Sequence, residues 1–473
     1  MTSPRRNRQR TIWATALLGC GLAWGAIACE PSTPPPENHQ AQQVDVSGLS
    51  PDDALHQIIA THELAALEPI ERDPKLVLLG KSLFFDPILS GNMDTSCATC
   101  HHPTLGTGDD LALGIGTGST GLGSERRDPT NIKQIIPRNA TELYNRGDPE
   151  WRTMFWDIRI EEVPGGILTP AGFFSRDAVR DVLTVQSLFP VFSRDEMRGY
   201  PDQLTIHDED NEVSRTHDMD FSSVWRLLMK RLSQVPAYRE AFEDAYEAPF
   251  EDLHFIHAAN ALAAFKAVAF SFVDSPWDRY VRGDPEALSD AEKSGALLFF
   301  GKGNCAACHS GNLFTDQRAH NIAVPQIGPG RRPSGPLDLG RFAVVAAPEN
   351  RFAFRTPPLR NVTLTGPYMH NGAYRDLSDA VRHHFDPVGM MERYDPSQLS
   401  PYLFPFAITS TRPVAKRILE NVAPQLPVGV ALSDDEFSDL MAFLHALTDP
   451  ETEERQLLNI PDQVPSGLPV VGP

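Results

Sequence analysis

The sequence predicts a mainly α-helical protein made of two similar modules in tandem, joined by long loops and carrying insertions. Three observations carry that expectation. A Cys-x-x-Cys-His segment occurs twice, at Cys97–His101 and at Cys305–His309. Each copy follows an apolar stretch of the same kind, "LGKSLFF" at 79–85 and "SGALLFF" at 294–300, so the chain holds an internal repeat of long period. Helix-start signals recur along the chain, whereas no convincing alternation of apolar and polar residues marks a strand.

The elements follow in order. Arg5, Arg6, Arg8 and Arg10 precede an almost wholly apolar run, Ile12–Ala28, with small residues before Cys29. That pattern reads as an export signal over 1–28, which predicts a periplasmic protein. "AIAC" at 26–29 resembles a lipoprotein cleavage box, so Cys29 is a candidate lipid anchor and the Pro-rich stretch 29–50 a tether. An uncleaved anchor helix is the alternative, although the run is short for a full span. Ser50 and Pro51 open a helix as N-cap and first-turn proline. "HFIHAANALAAFKAVAFSFV", 254–273, is apolar nearly all round and predicts a buried helix between the modules. "SDAE" at 289–292 and "SDDE" at 433–436 are capping boxes that each start a helix. "HDEDNEVSRTHD", 207–218, reads as an exposed insertion, and the Pro/Gly-rich stretch 324–340 as a long loop. After Pro450 the tail is Pro-rich with little to pack. The expected partition is 51–280 for the first module, 281–450 for the second and 451–473 for the tail.

The chain has 473 residues, of which 42 are basic and 62 acidic, for a net charge of −20. Loss of the arginine-rich signal leaves the remainder more acidic still. This balance disfavours nucleic acid as a partner and suits a small basic protein.

Cysteine usage narrows the chemistry. Two of the six cysteines, Cys20 and Cys29, lie in the presequence, and the other four are the two Cys-x-x-Cys pairs. An exported chain that spends none of its cysteines on other disulfides uses these pairs for something else. Cys-x-x-Cys-His is the attachment sequence of c-type haem. Two thiols three residues apart on a helical turn reach the two vinyl groups, and the next imidazole lies under the porphyrin to bind iron. A site built from Cys97, Cys100, Cys305 and Cys308 around zinc would leave both histidines unexplained. A redox pair would want a βαβ setting that neither flank resembles. Two covalent haems account for all six residues, with His101 on the first iron and His309 on the second, in cytochrome c-like modules.

Further segments carry a resemblance. "LGKSLFFDPILSGNMDTSCATCHHP", "PRNATELYN", "FWDIR", a Gln and an "EM" ten residues apart, and "PPLRNVTLTGPYMHNGAY" occur in this order. Over roughly 50–450 the chain resembles the bacterial dihaem cytochrome c peroxidases and their relative, the MauG-type methylamine-utilisation enzyme. The resemblance implies that Glu196 is the acid/base group and Gln186 a polar positioning group beside an open first iron. It implies that Trp156 relays electrons between the haems. It also implies a calcium ion held by Asn139 with the carbonyls of Thr365 and Pro367. Many family members block the first iron with a histidine until reduction; counted from His101, that position here is Thr117, so the iron is expected to be open without activation. The second iron's other ligand falls on His384, with His383, Met390 and Met391 as rivals, and His370 reads as structural. The implied activity is reduction of hydrogen peroxide to water with electrons from a small donor, a cytochrome c or a cupredoxin. High-valent haem oxidation of a partner protein and a non-enzymatic dihaem electron carrier are the alternatives, and a homodimer is the arrangement known among relatives.

Overall fold

Two helix crossings organise the molecule. In this computed structural model the described residues are 44–126, 135–330, 337–401, 403 and 412–471. The export signal, Cys29 and most of the Pro-rich linker lie outside them. Helix α1 (Pro51–Thr61) starts on Ser50, whose side chain accepts from the Asp53 N–H, with Pro51 in the first turn. Helix α2 (Pro74–Phe85) packs along the helix Phe255–Ala269, and the helix Asp290–Phe300 packs in the same way along Asp434–Ala446. Both predicted capping boxes form, Ser289 with Glu292 and Ser433 with Glu436.

The repeated "LGKSLFF" and "SGALLFF" stretches end the first helix of each pair. Their glycines explain how close the partners lie. A Cβ on Gly80 would sit 1.9 Å from the Ala261 carbonyl oxygen, and one on Gly295 would sit 1.9 Å from that of Asp439. Only glycine admits backbone at that separation. Helix content is 42%, with few strands.

Four short strands depart from the all-helical expectation. β1 (Thr153–Met154), β2 (Ile160–Val163), β3 (Gly166–Thr169) and β4 (Gly172–Ser175) form an antiparallel meander in the order β1-β2-β3-β4. Ile160 and Ile167 face inward and are fully buried, while Leu168 pairs with Phe173 on the exposed face. Strands this short hold too few residues for an alternating pattern to register.

The apolar core divides into two large clusters and smaller ones, inside one compact unit covering 41–473. The clusters are not split where the sequence suggested. Leu55 and Ile58 of α1 belong with Phe299, Phe300 and Phe443 in the second cluster, as do Trp277 and Tyr280. At the other end, Val464 joins the first cluster, with Leu468 and Val470 packed against it. The tail therefore packs rather than dangling. Ser466 donates to buried Asp86 (Oγ–Oδ1 2.7 Å), and Tyr144 donates to Gln456 (3.0 Å). The helix Phe255–Ala269 lies within the first cluster, not between the two. The acidic segment 207–218 is mostly exposed, as its composition predicts, but Asn211, Val213 and Ser214 are buried, and Asn211 Nδ2 donates to the Arg198 carbonyl (2.9 Å).

Replacing Gly295 by alanine forces the Cβ into the facing backbone. The expected cost is about 1–3 kcal/mol, as for overpacking elsewhere. Thermal unfolding measures it, and an unchanged Tm would show that this crossing has slack.

Candidate functional site

The first motif sits at the end of a short path from α2. Ser96 and Thr99 form a capping box that opens a single turn, Cys97–Cys100, and both cysteines face one cavity. His101 follows, its N–H bonded to the Cys97 carbonyl (3.0 Å), and its imidazole Nδ1 donates to the Thr107 carbonyl (3.1 Å). That bond leaves Nε2 as the basic nitrogen, the tautomer a metal needs. Burial pushes the His101 imidazole down to about 4, so it is neutral at pH 7.

The second motif repeats the solution. The His309 N–H bonds to the Cys305 carbonyl (2.9 Å), and its Nδ1 donates to the Phe314 carbonyl (3.1 Å). Burial again pushes the imidazole down to about 4. Cys97 is pushed up to about 11 and Cys100 and Cys305 to about 12, all by burial. Among the described residues the four cysteines form no common cluster; Cys308 groups with Asp316 and His320. A shared zinc site is thereby removed from consideration.

The cavity beside Cys97, Cys100 and His101 measures about 620 Å³. Gln186, at the end of the helix Val182–Gln186, and Glu196 both line it, so the structure gathers these predicted residues around one space. Glu196 sits in a single π-helical turn, Arg194–Arg198, an element often found at functional sites. The loop carrying Thr117 lies against the backbone of this turn. The Thr117 N–H bonds to the Glu196 carbonyl (3.1 Å), and a Cβ on Gly116 would fall 1.7 Å from the Asp195 oxygen. The Thr117 hydroxyl is itself taken by Asp94 (2.6 Å) and does not line the cavity.

Trp156 forms another part of the wall, its indole N–H donating to the Asn139 carbonyl (3.0 Å). Its far side meets His370 edge-on at 6.5 Å, and His370 stacks on Phe354. Of the calcium candidates, Asn139 and Pro367 line different clefts. Asn139 lines the first cavity and donates from its side chain to Leu111 (2.9 Å). Pro367 lines a separate cleft of about 420 Å³, and the Thr365 hydroxyl donates to the Val362 carbonyl (3.0 Å).

Around His309 the candidates separate clearly. The His384 ring lies 6.4 Å from that of His309, centroid to centroid, and its Nδ1 donates to the Ala380 carbonyl (2.8 Å). That span admits a metal bonded to both imidazoles at about 2 Å each. His383 has both nitrogens engaged, with the Tyr374 hydroxyl (2.9 Å) and the Ile322 carbonyl (2.7 Å). Met390 and Met391 are buried in two smaller apolar clusters.

The sequence reading missed the buried cations on the wall of the first cavity, among them Lys266, Arg146 and Arg355. Both guanidiniums lie over the Trp151 ring, at 4.2 and 5.2 Å. Arg146 pairs with Glu142, yet its Nη1 is buried without a hydrogen-bond partner. Burial pushes Arg355 down to about 9. Buried cations with a spare donor fit a group that brings carboxylates into the cavity, as haem does with its propionates. For Lys266 the available signal was a charge inside an otherwise apolar run.

Fold and clamp together define a protein of the c-type haem class. Comparison with known proteins supplies the family. Residues 74–286 match the family described as di-haem cytochrome c peroxidase. The chain is 30% identical over 372 residues to the methylamine utilization protein MauG of Methylorubrum extorquens, spanning 78% of this chain and 84% of that one. It is 30% identical over 304 residues to the cytochrome c551 peroxidase of Pseudomonas aeruginosa, spanning 64% and 69%. In fold it resembles a MauG-like protein associated with microbial copper homeostasis (TM-score 0.55, 24% identity, 82% of this chain and 94% of that one). A similar likeness holds for the diheme peroxidase BthA of Burkholderia thailandensis (TM-score 0.55, 22% identity, 86% and 93%). The chain belongs to the di-haem cytochrome c peroxidase family, a family of oxidoreductases carrying two c-type haems. Among the described residues no helix is long and apolar enough to cross a membrane.

A buried ion-pair network holds the Trp156 turn in place. Arg138 forms a bidentate pair with Asp338 (2.6 and 2.9 Å) and reaches Asp157 (2.7 Å), the residue after Trp156. Burial works against the charged form of Asp338, but Arg138 beside it holds its carboxyl below the usual carboxylate range. Its contribution to stability is thus present above about pH 4 and lost as pH falls below it. Arg138→Leu strands buried Asp338 and leaves Asp157 with Arg159, with an expected cost of about 3–5 kcal/mol. Unfolding measured from pH 3 to 7 should show the wild-type advantage shrink at the acid end; a variant equally destabilised throughout would contradict this account.

Proposed function

We propose that the protein reduces hydrogen peroxide to water with electrons from a small donor protein. The observation that supports this best is the single cavity lined by His101, Gln186 and Glu196. When bound, the first haem supplies an iron at which peroxide is reduced, and the second holds an electron for the same reaction. His101, its tautomer set by Thr107, would be the first iron's protein ligand, and Cys97 and Cys100 would hold the macrocycle. Cys305, Cys308 and His309 would do the same at the second, with His384 as the other ligand.

Glu196 takes a proton from the inner oxygen of peroxide and returns it to the outer oxygen, which leaves as water. Two electrons and two protons complete the reduction of one peroxide to two waters. Trp156, held by Asn139, is the residue that would relay electrons between the two groups. With its hydroxyl bonded to Asp94, Thr117 does not stand as a ligand that would block the iron. A net charge of −20 suits a basic cytochrome c as donor, with a cupredoxin as the alternative. The calcium ion of Asn139, Thr365 and Pro367 is supported by the resemblance alone.

A second reading, oxidation of a partner protein by the same cavity, is favoured by Thr117 together with the similarity to MauG. The discriminating assay is steady-state turnover of peroxide with reduced cytochrome c. Glu196→Gln should lower kcat/KM by about 10²–10⁴-fold with little change in Tm. A variant that keeps full turnover would remove Glu196 from the proton path, and negligible wild-type turnover would favour the partner-protein reading.

Ligation of the second iron has its own test in low-temperature EPR of the oxidised protein. His384→Ala should abolish one low-spin ferric signal. His383→Ala should preserve both signals while lowering Tm, because its two buried hydrogen bonds are lost. The reverse pattern would reassign the ligand.

A further inference from the structure

Lys266 is anomalous. It is the one lysine or arginine in the helix Phe255–Ala269, in the first apolar cluster, and only 6% of it is exposed. A lysine so placed needs partners. It has two, both neutral oxygens: Oε1 of Gln186 and Oγ of Ser187, each 2.8 Å from Nζ.

An ammonium group donates and never accepts, so only an oxygen can face it. The two ends of the Gln186 amide are thereby told apart: Oε1 turns to the lysine and Nε2 turns away. Gln186 lines the cavity, and its NH2 group has no hydrogen-bond partner among the described residues.

We propose that Lys266 is a positioning residue for the peroxide site: by gripping Oε1 it makes the Gln186 amide a fixed hydrogen-bond donor toward an acceptor bound at the first iron. The inference rests on the reading of Gln186 as a neighbour of that iron. It explains why a cation is kept inside an apolar helix, where a buried charge costs stability. It also divides the labour of the wall, because Gln186 can then only donate to the bound molecule while Glu196 takes and returns its proton. Burial pushes Lys266 down to about 8, which leaves it charged at neutral pH. The chemical class recognised is a small oxygen or anionic ligand that accepts a hydrogen bond.

The test uses the ferric dihaem protein and fluoride, an anion that accepts hydrogen bonds and donates none. Absorption spectra give its affinity for the wild type and for Gln186→Leu, Lys266→Met, Lys266→Gln and the Gln186→Leu/Lys266→Met double variant. Gln186→Leu and Lys266→Met should each weaken fluoride about tenfold, and the double variant should be no weaker than either. Lys266→Gln retains a neutral donor and should restore most of the affinity. Thermal unfolding checks that each variant folds, and Lys266→Met should unfold no earlier than the wild type, since it removes a buried charge. Unchanged fluoride affinity in Lys266→Met, or losses that add in the double variant, would overturn the proposal while leaving Gln186 beside the iron. Wild-type protein that binds no fluoride, or a Gln186→Leu variant that binds it normally, would overturn the placement of Gln186 and the proposal with it.

Discussion

The approach of two helices at a glycine is the constraint on which the rest of this structure depends. It occurs twice, at Gly80 against Ala261 and at Gly295 against Asp439. In each case the helix then ends in a Phe-Phe pair buried in the core, and the chain leaves through a loop that carries the Cys-x-x-Cys-His turn. The helix pair sets the depth of the turn, and the turn sets the direction of the histidine. A carbonyl from the following loop then orients the imidazole, Thr107 in one copy and Phe314 in the other. An error of one methyl group at the crossing would propagate through this chain of contacts, because protein interiors are packed too tightly to absorb it.

The first cavity combines features that would be costly separately. Lys266, Arg146 and Arg355 are all taken out of water, while neutral histidine and high-pKa thiols add no compensating negative charge. Such a wall is stable only when something shares its field: neutral acceptors for Lys266, the Trp151 face and Glu142 for the arginines, and a carboxylate-bearing group in the cavity itself. The same low-dielectric surroundings make each remaining polar contact count for more than it would at the surface.

The ends of the described chain cross over. Helix α1 is built into the second apolar cluster, whereas the last residues, through Val464 and the bond from Ser466 to Asp86, belong to the first. Each cluster is therefore closed by chain from the far end of the sequence. That arrangement ties both haem-clamp regions into one unit, and it sets the Arg138–Asp157–Asp338 network and Trp156 in a shared, buried setting.

The local features legible in the sequence are those whose cause is local. A capping box needs only residues three apart, so Ser289 with Glu292 and Ser433 with Glu436 could be read directly. The clamp is equally local, since the spacing of Cys97, Cys100 and His101 is itself the chemistry. Glu196, Gln186 and His384 came from ordered resemblance, because nothing in their immediate neighbours distinguishes them from surface residues. What only the tertiary structure decided is long-range. The tail packs because Asp86 awaits it some 380 positions earlier; the largely exposed acidic segment is pinned at buried Asn211, which bonds to the Arg198 carbonyl; and Asn139 and Pro367 line different clefts. Most of all, the role of Lys266 depends on Gln186, which is 80 residues away and distinguishable as donor or acceptor only once the lysine stands beside it. Sequence spacing encodes what a single turn can hold, whereas burial and partnership are properties of the packed chain.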